Sequence, residues 1–109
     1  MLKKRDFKRV YSEAESTSHK SVVVLCIKNN LNINRLGIVA SKKTGGSVMR
    51  NSARRRIKEI YRLSEADIIK GYDIVIIARQ SIHAQSYIQL TKSVLCCLDK
   101  FKILEKKNI

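Results

Sequence analysis

Apolar residues recur along this chain in two rhythms, and the switch from one to the other divides it into elements. Leu2, Phe7, Val10 and Tyr11 gather on one side of a short helix over residues 2 to 12, with lysine and arginine on the remaining faces. Residues 13 to 20 are polar and aperiodic, which predicts a loop. Val22 to Lys28 is a continuous β-branched run, as a well-buried strand requires. Asn29, Asn30, Asn32 and Asn34 then predict a turn. Arg35 to Ser41 follows as a second strand, expected to close an antiparallel hairpin with the first through a long loop.

Thr44-Gly45-Gly46-Ser47 interrupts the pattern and offers Ser47 as a helix N-cap. From Val48 to Leu63 the apolar period becomes helical: Met49, Ala53, Ile57 and Ile60 form a stripe with Val48 and Tyr61 at its margin. Residues 64 to 70 read as a connector anchored by Ala66, Ile68 and Ile69, after which Gly71 opens a third strand, Tyr72 to Arg79. A last helix, Ser86 to Leu104, runs through Tyr87, Leu90, Val94, Leu98, Phe101 and Leu104. The predicted order is α-β-β-α-β-α over a single domain spanning residues 1–109, with no linker or repeat. A strand, a helix and a strand in succession imply one parallel pair in a small mixed sheet, hence an α+β two-layer sandwich.

Charge changes this picture most. The chain carries 23 Lys and Arg against 9 Asp and Glu, a net charge of +14. Such an excess is the footprint of a polyanion binder. An anionic membrane would call for a basic amphipathic helix with large aromatic anchors, and the sequence has no Trp. Its apolar runs are far shorter than the ~20 residues of a membrane span, and the N-terminus has no apolar signal core. No membrane partner and a cytoplasmic location are therefore expected. Cys26, Cys96 and Cys97 have no metal-ligand spacing and read as reduced, largely buried thiols.

The charge is concentrated. Lys42, Lys43, Arg50, Arg54, Arg55, Arg56, Lys58 and Arg62 crowd the stretch from 41 to 62, with Glu59 its sole acid. A solvated helix face usually mixes signs at i, i+4 for a few tenths of a kcal/mol per pair, whereas this one repels itself. Arginine outnumbers lysine, which suits bidentate phosphate contacts. Arg50 sits in the first turn, where the helix dipole disfavours a cation and a phosphate would be welcome. The acids, by contrast, are scattered without paired spacing, and His19 and His83 fall in predicted loops as surface residues. Asp73 is expected to fix a turn or pair with a nearby cation. No protein active site and no metal site are read from the chain. On physics alone the reading stops at a basic α+β nucleic-acid binder.

Four blocks carry that further: LKKRDFKRVY, RLGIVASKKTGGSVMRN, ARRRIKEIYR and GYDIVIIAR, in this order. With them the chain resembles the protein subunit of bacterial ribonuclease P from about Leu2 to Leu104. The helix is similar to the family pattern R-N-R-x-K-R-R-x-R-E, with Ser52 where that pattern has its second arginine. The resemblance implies a non-catalytic subunit of the ribonucleoprotein that removes the 5′ leader from precursor tRNA. Its partners would be the catalytic RNA subunit and precursor tRNA, with Mg2+ required by the holoenzyme and held mainly by RNA. It implies that Lys42, Lys43, Arg50, Asn51, Arg54, Arg55, Lys58 and Arg62 hold RNA phosphates. It further implies that Phe7, Tyr11 and Arg79 line a cleft for the leader, with Leu25 where some relatives carry an aromatic ring. A left-handed crossover between the parallel strands is the family's expectation, against the usual right-handed one. A general structured-RNA-binding or ribosome-associated protein is the alternative.

Overall fold

The strand with apolar residues on both faces ends up inside the sheet. In the computed structural model, which describes residues 2–105, this strand is β4, Tyr72–Ala78. It pairs antiparallel with β2, Val22–Lys28, and parallel with β3, Arg35–Val39. A further strand, β1, Glu15–His19, pairs antiparallel with β2, so the sheet order is β1-β2-β4-β3. The helices are α1, Lys4–Glu13, α2, Ser47–Ser64, and α3, Tyr87–Lys100.

The mixed α+β sheet with one parallel pair is as expected, and the segment between β3 and β4 is the predicted helix. Two parts of the predicted order need correction. Residues 15 to 19 are a strand, so the order gains one β element between α1 and β2. Their sequence, ESTSH, hides this because an edge strand pairs through its backbone and leaves most of its side chains in solvent. The partner of β2 in a hairpin is therefore β1, with Lys20 in the left-handed region (φ 51°) at the turn. β2 and β3 are not paired, because β4 lies between them. An apolar strand gains more at the centre, where both faces are covered, than at an edge.

Strand alternation then sorts the core. Val22, Val24, Cys26, Ile74, Ile76 and Ala78 face α2 and α3, where Ala53, Ile57, Ile60, Leu90, Val94 and Leu98 meet them. Leu25 and Val75 face the other way and are covered by Leu2 and Val10 of the N-terminal segment. So α2 and α3 form the main helical layer, and α1 adds a partial layer across the opposite face. The stripe of α2 is turned slightly from the predicted one. Tyr61 is buried, whereas Met49 is 44% and Val48 81% exposed. Ser47 is the first helical residue, not the cap; Gly46 occupies that position and supplies no side-chain hydrogen bond. At the far end, α3 stops at Lys100, and Leu104 instead bridges to Ile68.

α1 is held to the sheet by a buried carboxylate. Asp73, fully buried at the start of β4, accepts two hydrogen bonds from Arg35, from Nε and NH2, each 2.8 Å long. Arg9 of α1 donates at 2.9 Å and Asn29 at 3.0 Å. Arg35 also lies 3.5 Å from Asp6 of α1. Burial pushes the Asp73 carboxyl upward, but the hydrogen bonds from Arg35, Asn29 and Arg9 outweigh it and hold the group below the ordinary carboxylate value.

Because that value is depressed, the stabilisation is present above the ordinary carboxylate range and is lost as pH falls through the folded value. Urea unfolding of the wild type should weaken steeply below about pH 4. Asp73→Asn should cost about 2–3 kcal/mol at neutral pH, since both guanidiniums keep partial water contact, and should flatten that acid limb. Gly37→Ala tests the same layer sterically. A Cβ there would sit 2.6 Å from Phe7 Cε1 and 3.1 Å from Leu2 Cδ1. A loss of about 1–2 kcal/mol, read by thermal melting, is expected as the ring is displaced.

Candidate nucleic-acid interface

The basic face belongs to α2 and the turn before it. Because the helix buries Ala53, Ile57, Ile60 and Tyr61, residues 100° or more around the axis must point outward. Asn51, Arg54, Arg55, Lys58 and Arg62 are all exposed there, and Arg50 is half-buried. Arg54 donates to the Ala40 carbonyl at 3.2 Å. Among the described residues Arg55, Lys58 and Arg62 have no ion-pair partner, so their charge is directed at solvent. Arg54, Arg55 and Lys58 line a shallow depression with Ile38 of the edge strand β3. Ser52, the departure from the family pattern, is half-buried on the flank of this face.

The turn that leads into α2 is firmly seated. Lys42 and Lys43 are exposed on it, and Thr44 behind them is buried. The Thr44 hydroxyl donates to the Ala78 carbonyl at 3.0 Å, and His83 Nε2 lies 2.6 Å from the Thr44 carbonyl oxygen. Gly45, at φ 143°, leaves room for Met49 and His83, which a Cβ would crowd at 3.0 and 3.4 Å. Past the turn, the first N–H groups of α2 lack a side-chain cap, and the buried Nε of Arg50 has no hydrogen-bond partner among the described residues. Uncapped N–H groups beside an arginine make an electropositive end suited to a phosphate.

The second group of predicted residues lies on the opposite face of the sheet. Phe7 and Tyr11, one helical turn apart, have ring centroids 6.4 Å apart at an interplanar angle of 31°. Phe7 is half-buried over Gly37, while Tyr11 is 52% exposed. Leu25 does not join them at the surface. It packs under α1 with Val10 and Val75 and is 9% exposed. Arg79 is exposed at the far end of β4, about 13 Å along the strand from Val75, and donates to the Lys20 carbonyl at 3.3 Å.

Between Val75 and Arg79 this face of the sheet carries a row of partly covered side chains. The register places Ser18, Val23, Ile77 and Val39 in one row across all four strands. Val23, Ile77 and Val39 are half-buried. The sequence reading does not single out this row, although period-2 alternation within β2 and β4 separates it from the residues facing α2 and α3. It also misses the Thr44 and His83 anchors, which join residues 34 and 39 positions apart. His19 and His83 are half-buried, not surface residues; His19 Nδ1 lies 3.0 Å from the hydroxyl of buried Ser93.

Among the described residues no three His, Cys, Asp or Glu side chains group to hold a metal ion. Both oxygens of Asp73 are taken by Arg9, Asn29 and Arg35. The Cys26 thiol is pushed up to about 12 by burial, with Glu15 and Asp73 adding to it, and stays protonated. No helix among the described residues is long and apolar enough to cross a membrane.

Comparison with known proteins places the chain in a family. The family model for ribonuclease P matches residues 1–102. A ribonuclease P protein component from Clostridium botulinum is 43% identical over 99 residues, covering 90% of this chain and 89% of its own. The RNase P protein of Thermotoga maritima, solved with 1-(4-fluorophenyl)-2-thiourea, superposes with a TM-score of 0.85 at 33% identity, over 92% of this chain and 98% of that one. A Staphylococcus aureus RNase P protein, a mutant with defective mRNA degradation activity, gives 0.88 at 32% identity, over 95% and 88%. Fold, order of motifs and near full-length similarity converge, and the chain belongs to the ribonuclease P protein family, RNA-binding subunits of a tRNA-processing enzyme.

Proposed function

We propose that this chain docks on the catalytic RNA of ribonuclease P through α2 and holds the 5′ leader of precursor tRNA on the other sheet face. The observation that supports it most is the division of surface chemistry. One face presents exposed Arg54, Arg55, Lys58 and Arg62 without carboxylate partners among the described residues; the other presents aromatic rings and a half-buried apolar row. Structured RNA offers dense phosphates, which suit the first face, helped by Lys42, Lys43, Arg50 and Asn51. A single-stranded leader offers unstacked bases, which suit Phe7 and Tyr11, at ~1–3 kcal/mol per stacked base. Arg79 would meet a leader phosphate beyond the row, and Leu25 serves as floor under α1.

Cleavage in this reading belongs to the RNA. Mg2+ supplies the charge stabilisation and activated water that phosphodiester hydrolysis needs, and RNA would hold it. The protein's part is to neutralise phosphates so that two polyanions can approach, and to keep the leader extended. A general structured-RNA binder would share the α2 face but would not distinguish precursor from mature tRNA.

Arg55→Ala combined with Lys58→Ala should weaken assembly with the catalytic RNA. It should also lower the slope of log affinity against log salt by about two, near one unit for each phosphate that is no longer neutralised. An unchanged slope would mean that this face is only solvated. The isolated chain should not cleave precursor tRNA. Cleavage of it by a preparation free of RNA would remove catalysis from the RNA subunit.

A further inference from the structure

We infer that the Asp6–Arg9–Arg35–Asp73 network is a positioning device for leader binding, setting the roll of α1 so that Phe7 and Tyr11 overhang the half-buried row of the sheet. The inference rests on the leader reading above and names the residues that would tune it.

The geometry of α1 carries it. Val10, fully buried, marks the line of contact with the sheet. Asp6, Arg9 and Glu13, at i, i+3 and i+7, lie on one flank of that line, and Phe7 and Tyr11, at i and i+4, lie on the other. Apolar contact at Val10, with Phe7 half-buried over Gly37 beside it, fixes how close the helix sits but leaves some rotation about its axis, because such contacts have no bonds of defined direction. The polar flank removes that freedom. Arg9 donates to Asp73 at 2.9 Å, Arg35 lies 3.5 Å from Asp6, and Arg35 is itself held on Asp73 by two bonds of 2.8 Å. Arg9 also lies 3.9 Å from Glu13, which steadies its side chain. Two separate points on the helix, Asp6 and Arg9, are thus tied to neighbouring strands, since Arg35 and Asp73 are paired across β3 and β4. Two ties on one flank define the direction of the rings on the other.

The pairing also fixes where the network sits. Asp73 is at one end of β4 and Ile77 is near the other, so the ion pairs lie outside the half-buried row and contact no part of it. None of the four residues would touch a leader lying along Ser18, Val23, Ile77 and Val39. Their influence would pass entirely through the orientation of α1.

The test uses the holoenzyme reconstituted with its catalytic RNA and two precursor tRNAs, one with a five-nucleotide leader and one with a single-nucleotide leader. The ratio of their dissociation constants is the readout. Arg9→Met removes one tie yet leaves Asp73 paired with Arg35, so the chain should fold; its thermal melting is measured alongside. The ratio is expected to fall about fivefold, and Arg9→Lys, which can still reach Asp73, should recover part of it. Tyr11→Ala, which strikes the stacking itself, should lower the ratio about tenfold. If Tyr11→Ala lowers the ratio and Arg9→Met lowers only the melting temperature, the network is structural and the inference is overturned while leader binding stands. If neither variant changes the ratio, the leader reading fails and the inference goes with it. A fall in affinity for both substrates and for the catalytic RNA together would signal general loss of structure and would equally overturn it.

Discussion

A buried carboxylate in a strongly cationic chain is the constraint around which this molecule is arranged. Asp73 is fully buried and remains ionised only because Arg9, Arg35 and Asn29 surround it. Those partners come from 64, 38 and 44 residues away, so one group draws together α1, β3 and the turn after β2. Such a pair adds little stability over a well-packed apolar contact, since desolvation offsets much of the attraction. What it adds is direction. Guanidinium and carboxylate bond along defined lines, whereas a valine against a sheet can pivot.

The same network shapes the surface by consuming acids. Asp6, Glu13 and Asp73 are engaged with Arg9 and Arg35 on the α1 side of the sheet. Within α2 Glu59 stands alone among arginines, and Glu65 and Asp67 follow only past its C-terminal end. That helix repels itself, and its own i, i+4 pairs do not hold it together. Ile57 and Ile60, both fully buried, and Tyr61 hold it to the sheet instead. The energetic consequence is a linkage. A polyanion that binds only the folded chain both relieves the repulsion and raises the stability of the fold. A helix so built gains most from the ligand that its charges suit.

Much of this was legible in the residues, and the failures have physical reasons. The shift from period 2 to period 3.6 around Gly45 and Gly46 located α2, and its insertion between two strands implied the parallel pair. β1 was not legible, because ESTSH lies at an edge where backbone pairing leaves almost no pattern in the side chains. The hairpin of β2 with β3 was a local inference that a distant strand, β4, overrode by taking the centre of the sheet. The exposed basic residues of α2 followed from periodicity. For Asp73 a turn or a cation partner was expected, but nothing near position 73 announces that the cations are arginines at 9 and 35. Leu25 shows the limit of carrying a position over from relatives: its place in the strand is plain, but its depth under Val10 depends on how α1 sits.

The two faces are separated by the sheet yet joined at one corner. The turn bearing Lys42 and Lys43 is pinned through Thr44 to the carbonyl of Ala78, the residue immediately before Arg79. His83, from the segment after Arg79, packs its ring nitrogen on the Thr44 carbonyl. On the proposed reading, the entrance to the basic helix and the far end of the leader path therefore share a single hydrogen-bonded corner. On that reading the row itself offers few donors, with Ser18 and Arg79 flanking valines and an isoleucine, while Lys4, Arg5 and Lys8 stand beside the rings of Phe7 and Tyr11 to meet phosphates. Such a surface favours unpaired bases of any identity over duplex, because every base offers a face to stack and few edges are read. Discrimination of a precursor would then come from the presence and path of a single strand rather than from its sequence.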